Sequence, residues 1–211
     1  MRWAPVERDD AHPDADGAHA DADASHLLTA AEFARYGSLR PEPARTFLAG
    51  RRLLRELVAS VAGADPDEVV IEARCPFCGG AHGRPAVLAP PAATNLRLGL
   101  AHSDGLVVAA AAWAPAVGID VERSDAAHTP ERDRAIASVA GASGGDPLQH
   151  WTRVEAVLKA DGRGLRVDPR SVRVTDDGDD VRATIDGSDT RYTLEPLDLG
   201  PGHTASIAVR T

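Results

Sequence analysis

Five residues carry most of the chemistry this chain can offer. In Gly118-Ile119-Asp120-Val121-Glu122 two carboxylates stand two positions apart. On a strand such residues share a face, with Ile119 and Val121 turned to the other side. Two neighbouring carboxylates repel, and a cation relieves that repulsion; oxygen-only ligands suit magnesium better than zinc. A D-x-E pattern by itself also fits the solvated acidic face of a half-buried strand. Further on, Trp151, Glu155 and Lys159 fall at i, i+4 and i+8, which puts them on one helix stripe. A glutamate and a lysine one turn apart are commonly a surface pair. Lys159 is, however, the one lysine in a chain whose other basic residues are all arginine. A compact ammonium meets a phosphate oxygen as a point charge, unlike a guanidinium fork. His102 and Ser103 add an imidazole and a hydroxyl at a hairpin-like turn.

These residues need strands and helices to hold them. Helical spacing of apolar residues covers Leu27 to Tyr36, Pro43 to Ala62 and Leu148 to Ala160, with a further helical stretch over Pro130 to Ala140. Strands are expected at Met1–Val6, Val69–Ala73, Leu96–Leu100, Leu106–Ala112, Val117–Glu122, Val172–Thr175, Val181–Ile185, Tyr192–Leu194 and Thr204–Val209. Helices followed by strands occur in each half, so the layout allows two α+β halves joined near residue 103.

Composition narrows the classes of function. The chain has 211 residues, 43% of them hydrophobic, enough for one large or two small cores. A formal net charge of −9 argues against general nucleic-acid binding. Seven acids against two arginines lie in residues 1–25, a tract of Asp, Ala and His without apolar periodicity. Residues 1–26 therefore read as an acidic, partly disordered segment, with metal binding by His12, His19 and His26 as the lesser alternative. There is no apolar run suited to a signal peptide or a membrane span, so a soluble, cytoplasmic protein is expected.

The two cysteines cannot build a disulfide framework. Cys75-Pro-Phe-Cys78-Gly-Gly-Ala-His82 reads as half a zinc site to which His82 could add a third ligand, or as a tight turn that delivers Gly83-Arg84-Pro85. Redox chemistry fits less well, since no helix start follows Cys75 to lower its pKa.

The ordered set Gly83-Arg84-Pro85, Ala101-His102-Ser103, Gly118–Glu122 and the 151–165 pattern W-x-x-x-E-A-x-x-K-x-x-G-x-G-L resembles the 4′-phosphopantetheinyl transferases. It is most similar to their longer, monomeric type, which acts on peptide and polyketide synthases. The helix from Ala44 to Leu54 and the ending Gly202–Val209 fit the same family, so the likeness runs from about residue 27 to the C-terminus. It implies a pseudo-twofold pair of similar α+β subdomains, 27–103 and 104–211, with coenzyme A in the cleft between them and the metal in the second. It implies Asp120, Glu122 and Glu155 as magnesium ligands, Glu155 as the proton acceptor and Lys159 as a phosphate contact. Arg45, Thr46, Arg84 and His102 would meet coenzyme A. The partner is an acyl or peptidyl carrier protein. Arg51 and Arg52 are left to the solvated face of their helix.

Three departures from the family's pattern stand out. Val154 replaces the usual lysine before the helix glutamate, Ala101 replaces a common serine, and 125–149 lacks an expected aromatic-rich helix. The first two remove polar groups expected near phosphate or metal; the third concerns carrier docking. A catalytically degenerate module that binds coenzyme A or a carrier protein is the alternative, and a zinc-ribbon interaction protein a third reading.

Overall fold

A computed structural model describes residues 2–7, 26–75, 78–124, 129–141, 145–178 and 180–211, with the side chains of 2–7 excepted. The acidic stretch of residues 8–25, with His12 and His19, lies outside the described residues, as do 125–128 and 142–144 of the Ala/Gly-rich region.

The chain divides into two units. The first comprises Met1–Leu100 and Gly105–Trp113, the second Ala101–Asp104 and Ala114–Thr211. Each has its own five-stranded sheet, and the fold is α+β. The strand after residue 104 stays with the first sheet, so the main segment of the second unit begins ten residues later than the sequence suggests.

In the first unit, β1 (Arg2–Glu7) pairs antiparallel with β5 (Leu106–Ala112) in the sheet order β1-β5-β4-β3-β2. The other strands are β2 (Val70–Glu72), β3 (Ala86–Ala89) and β4 (Arg97–Ser103). Asp104 and Gly105 both take positive φ, 39° and 89°, at the tight turn between β4 and β5. An Asp-Gly pair tolerates that conformation and matches the twist of the flanking strands. Helix α1 (Ala30–Ser38) begins in a capping box: the Glu32 amide donates to Thr29 Oγ1, and the Thr29 amide to Glu32 Oε2. Helix α2 (Pro41–Ala62) starts at a proline and stops at Gly63, whose φ of 67° suits a residue without a Cβ. Its buried Leu54 and Val58 pack with Val69, Ile71, Leu96, Leu98 and Val107.

Arg51 departs from the solvated face expected of it. It is buried, its Nε donates to Glu32 Oε1 at 2.6 Å, and its guanidinium lies 4.7 Å from the Phe47 ring centre. Glu32 is itself 1% exposed. A cation leaves water only where an opposite charge and hydrogen-bond acceptors meet it, and the helix-capping glutamate supplies both. Arg52 lines a cleft of about 720 Å³ with His26, Arg55 and Glu56.

The second sheet runs β6-β10-β9-β8-β7. Its strands are β6 (Val117–Arg123), β7 (Val172–Asp176), β8 (Val181–Ile185), β9 (Arg191–Leu197) and β10 (His203–Arg210), all paired antiparallel. Helix α3 (Pro130–Ala140) precedes α4 (Pro147–Asp161), which Asp146 caps by accepting from the Leu148 amide. Val154, Val157 and Leu158 of α4 pack against Ala183, Ile185, Tyr192 and Leu194. Each fully buried aliphatic side chain there contributes about 1.5–3 kcal/mol. Val154 is thus a core residue, with 0% exposure, and Ala101 is buried as well. A polar group at either position would leave water and would need a partner there.

Candidate active site

The site is assembled where α4 crosses β6. Gly118 makes this crossing possible. A Cβ built on it would lie 2.1 Å from the Ala156 carbonyl oxygen and 2.4 Å from the Ala160 nitrogen. A glycine within a strand often marks such a close backbone approach. By strand alternation Gly118, Asp120 and Glu122 share one face, and in the structure that face meets α4. Lys159 Nζ donates to Asp120 Oδ1 at 2.5 Å, and Trp151 Nε1 donates to Glu122 Oε1 at 3.3 Å. Two members of the helix stripe therefore engage the two strand carboxylates in reverse order, as antiparallel strand and helix require. Ile119 and Val121, on the other face, are 0% and 2% exposed.

The electrostatics follow from burial. Asp120 is 5% exposed, and its Oδ2 has no hydrogen-bond partner among the described residues. Burial pushes its carboxyl above the usual range, Lys159 pulls it back, and Glu155 adds repulsion. Glu122 is raised too, by burial first and by Asp120 second, while Trp151 and Arg132 oppose the shift. Arg132 Nη2 stands 3.9 Å from Glu122 Oε2 and donates to the Arg123 carbonyl at 3.0 Å.

A buried polar cluster beside these residues escaped the sequence reading. Ser206 of β10 is the register partner of Asp120 and is 0% exposed. Its hydroxyl meets Thr152 Oγ1 at 2.9 Å and accepts from Gln149 Nε2 at 2.8 Å. This ties the first turns of α4 to β10. The hydroxyl at 206 among apolar strand residues was the only signal, and a strand hydroxyl alone names no partner.

The four second-unit candidates, Asp120, Glu122, Glu155 and Lys159, are brought to one strand–helix crossing. The three carboxylates do not close into a tight cage. Among the described residues, the group whose ligand atoms all lie within 4.8 Å is Cys75, Cys78 and His82 of the first unit. Arg45 is exposed on α2, and Thr46 Oγ1 beside it donates to the Glu42 carbonyl. Arg84 is exposed in the loop before β3, and His102 is exposed near the end of β4.

Residues 116–208 match the family model of the 4′-phosphopantetheinyl transferase superfamily. The matched segment spans β6 to β10 with α4 between them, and so contains every residue of the crossing. The match supports a transferase of the phosphopantetheinyl type. Comparison with curated proteins finds no match.

The residues present fit a hard divalent cation. All three candidate ligands are carboxylates, a donor set that suits magnesium. Asp120 Oδ2 is a buried acceptor without a partner among the described residues, and burial raises the Asp120 and Glu122 carboxyls, a shift that a bound cation would oppose.

Proposed function

We propose that the chain transfers the 4′-phosphopantetheine arm of coenzyme A to a serine of an acyl or peptidyl carrier protein, in a magnesium-dependent reaction. The observation that carries this reading is the buried Asp120 beside Glu122, facing Lys159 and Glu155 of α4 inside the matched segment. Asp120, Glu122 and Glu155 hold the magnesium, which supplies charge neutralisation at the coenzyme A pyrophosphate.

The remaining work falls to side chains. Glu155 takes the proton of the carrier serine. The serine oxygen bonds to the β-phosphorus as the bond from that phosphorus to the bridging oxygen breaks. Adenosine 3′,5′-bisphosphate leaves with the electron pair. Lys159 offsets charge on the phosphates; an ammonium has three donors, so it can hold Asp120 and a phosphate oxygen together. By the family likeness, Arg45 and Thr46 meet the adenine and 3′-phosphate end of coenzyme A, and Arg84 and His102 its phosphates. The same likeness proposes the monomeric type and carriers of peptide and polyketide synthases. A cytoplasmic location is part of the proposal; no helix among the described residues is long and apolar enough to cross a membrane.

The test is mass spectrometry of an apo carrier protein incubated with the chain, coenzyme A and magnesium. The expected result is a carrier heavier by one phosphopantetheine arm. Asp120→Ala should lower the rate by at least about 10²–10³-fold, the usual loss when a key charge stabiliser is removed. Undiminished transfer by that variant would sink the mechanism.

A further inference from the structure

Both cysteines of the chain and one of its eight histidines fall within the eight residues 75–82, and the transferase chemistry uses none of them. In the structure Cys75 Sγ, Cys78 Sγ and a ring nitrogen of His82 all lie within 4.8 Å of one another. Cys78 Sγ and His82 Nε2 are 2.9 Å apart. Neither cysteine is in a disulfide; Cys75 is buried and Cys78 exposed.

The backbone is folded to keep them there. The Cys75 amide donates to the Gly80 carbonyl at 2.8 Å, the Gly79 amide to the Cys75 carbonyl at 2.9 Å and the His82 amide to the Gly80 carbonyl at 2.9 Å. Gly79 adopts φ 72°, a conformation that favours glycine. At Gly80 a Cβ would sit 3.1 Å from the His82 ring and 3.4 Å from Cys78 Sγ, so the missing side chain leaves room for sulfur and imidazole to approach. The loop then leaves through Gly83, whose amide donates to the Ala73 carbonyl at 2.6 Å and whose Cβ would strike the Arg74 carbonyl at 2.1 Å.

We propose that Cys75, Cys78 and His82 form a zinc site. Thiolate and imidazole are soft and borderline donors, which select zinc over the magnesium that carboxylates favour. Zinc–sulfur and zinc–nitrogen bonds of about 2.3 and 2.0–2.1 Å place neighbouring tetrahedral ligand atoms roughly 3.5–3.8 Å apart, inside the spacing found here. His82 Nε2 and Cys78 Sγ need to part by about 0.6 Å to reach it. Three protein ligands leave a fourth position, and the exposure of Cys78 and His82 puts that position within reach of solvent water. The ion clamps the Cys75–His82 loop and so fixes the chain that runs into Gly83-Arg84-Pro85 and β3. This site does not depend on the transferase reading.

The test is metal analysis and cobalt titration of the full chain, purified under reducing conditions from zinc-supplemented growth. The expected result is about one zinc per chain, replaceable by cobalt with a thiolate-to-cobalt charge-transfer band. Cys78→Ser and His82→Ala should each lose most of the zinc; with His82→Ala the charge-transfer band should also weaken. Should Cys78→Ser fail to fold, the wild-type cobalt band and His82→Ala decide the matter. Less than about a tenth of an equivalent of zinc with no cobalt band would overturn the proposal. So would a Cys75–Cys78 disulfide in the purified chain, or cobalt binding unchanged in His82→Ala.

Discussion

Arg51 carries its charge into the core of the first unit because Glu32 is already there, held by the capping box of α1. Each group offsets the desolvation of the other, and only as a pair. Arg51→Ala removes the cation bonded to the buried carboxylate, which Arg55 still attracts, and should destabilise the chain by up to about 3–5 kcal/mol in urea denaturation. The double variant Glu32→Leu/Arg51→Met, which removes both charges at similar volume, should recover most of that loss. If the two variants unfold at the same midpoint, the burial of the pair has been misjudged. The sequence places Arg51 on α2 but cannot reveal this role, since helical spacing says which residues share a face and not what covers it. Glu32 also serves the capping box of α1, and its bond to Arg51 spans 19 residues. At the candidate site the reverse holds. Alternation along β6 and the four-residue spacing along α4 expose Asp120, Glu122, Glu155 and Lys159 as two groups. Only the packing of one element on the other decides that Lys159 meets Asp120 and Trp151 meets Glu122.

That packing belongs to elements, and Gly118 sets it. An alanine there would need α4 to back away from β6, because the 2.1 Å contact is with backbone that cannot rotate aside. Overpacking of this kind costs about 1–3 kcal/mol or more. A displacement of α4 by an ångström would also carry Glu155 and Lys159 off Asp120, and misplacement on that scale can cost roughly 10²-fold in rate. Gly118→Ala should therefore fold with a lowered urea midpoint and transfer the arm about 10²-fold more slowly, with kcat falling more than KM rises. A variant with full kcat would show that the crossing does not position the chemistry. The longer helices were legible from periodicity because each buries one face, whereas β5 is buried at every position and was legible as a short apolar run between turns. Strand β3 was not: Ala86–Ala89 is four residues between prolines, too short to show alternation. Helix α1 starts three residues later than its apolar pattern suggests, since Thr29 caps it.

At the scale of the molecule, the structure has two sheets with a core each. Their division was harder to read, because the β4–β5 hairpin keeps β5 in the first sheet while Ala101–Asp104 groups with the second unit. How the whole chain responds to alkali is set in part by one buried phenol. Tyr192, 1% exposed, packs with the core side chains of α4 and donates to Asp161 Oδ1 at 3.3 Å, at the helix's last residue. Arg163 holds the Asp161 carboxyl below its ordinary range, so that carboxylate stays charged. Burial, with Asp161 beside it, pushes the Tyr192 hydroxyl from 10.0 up to about 12. The folded chain thus binds this proton more tightly than the unfolded chain, whose tyrosine ionises near pH 10. The stabilisation is fully present below about pH 10 and is lost as pH rises through about 12. A proton held that much more firmly in the folded chain is worth roughly 2–3 kcal/mol. Tyr192→Phe keeps the ring and removes the proton, so near neutral pH it should lose only the hydrogen bond, about 0.5–1.5 kcal/mol. Urea midpoints measured from about pH 8 to 12 should fall more steeply for the natural chain than for Tyr192→Phe, so that its lead near neutral pH disappears and the two curves cross before about pH 12. Parallel curves across that window would mean that the phenol ionises alike in the folded and unfolded chains.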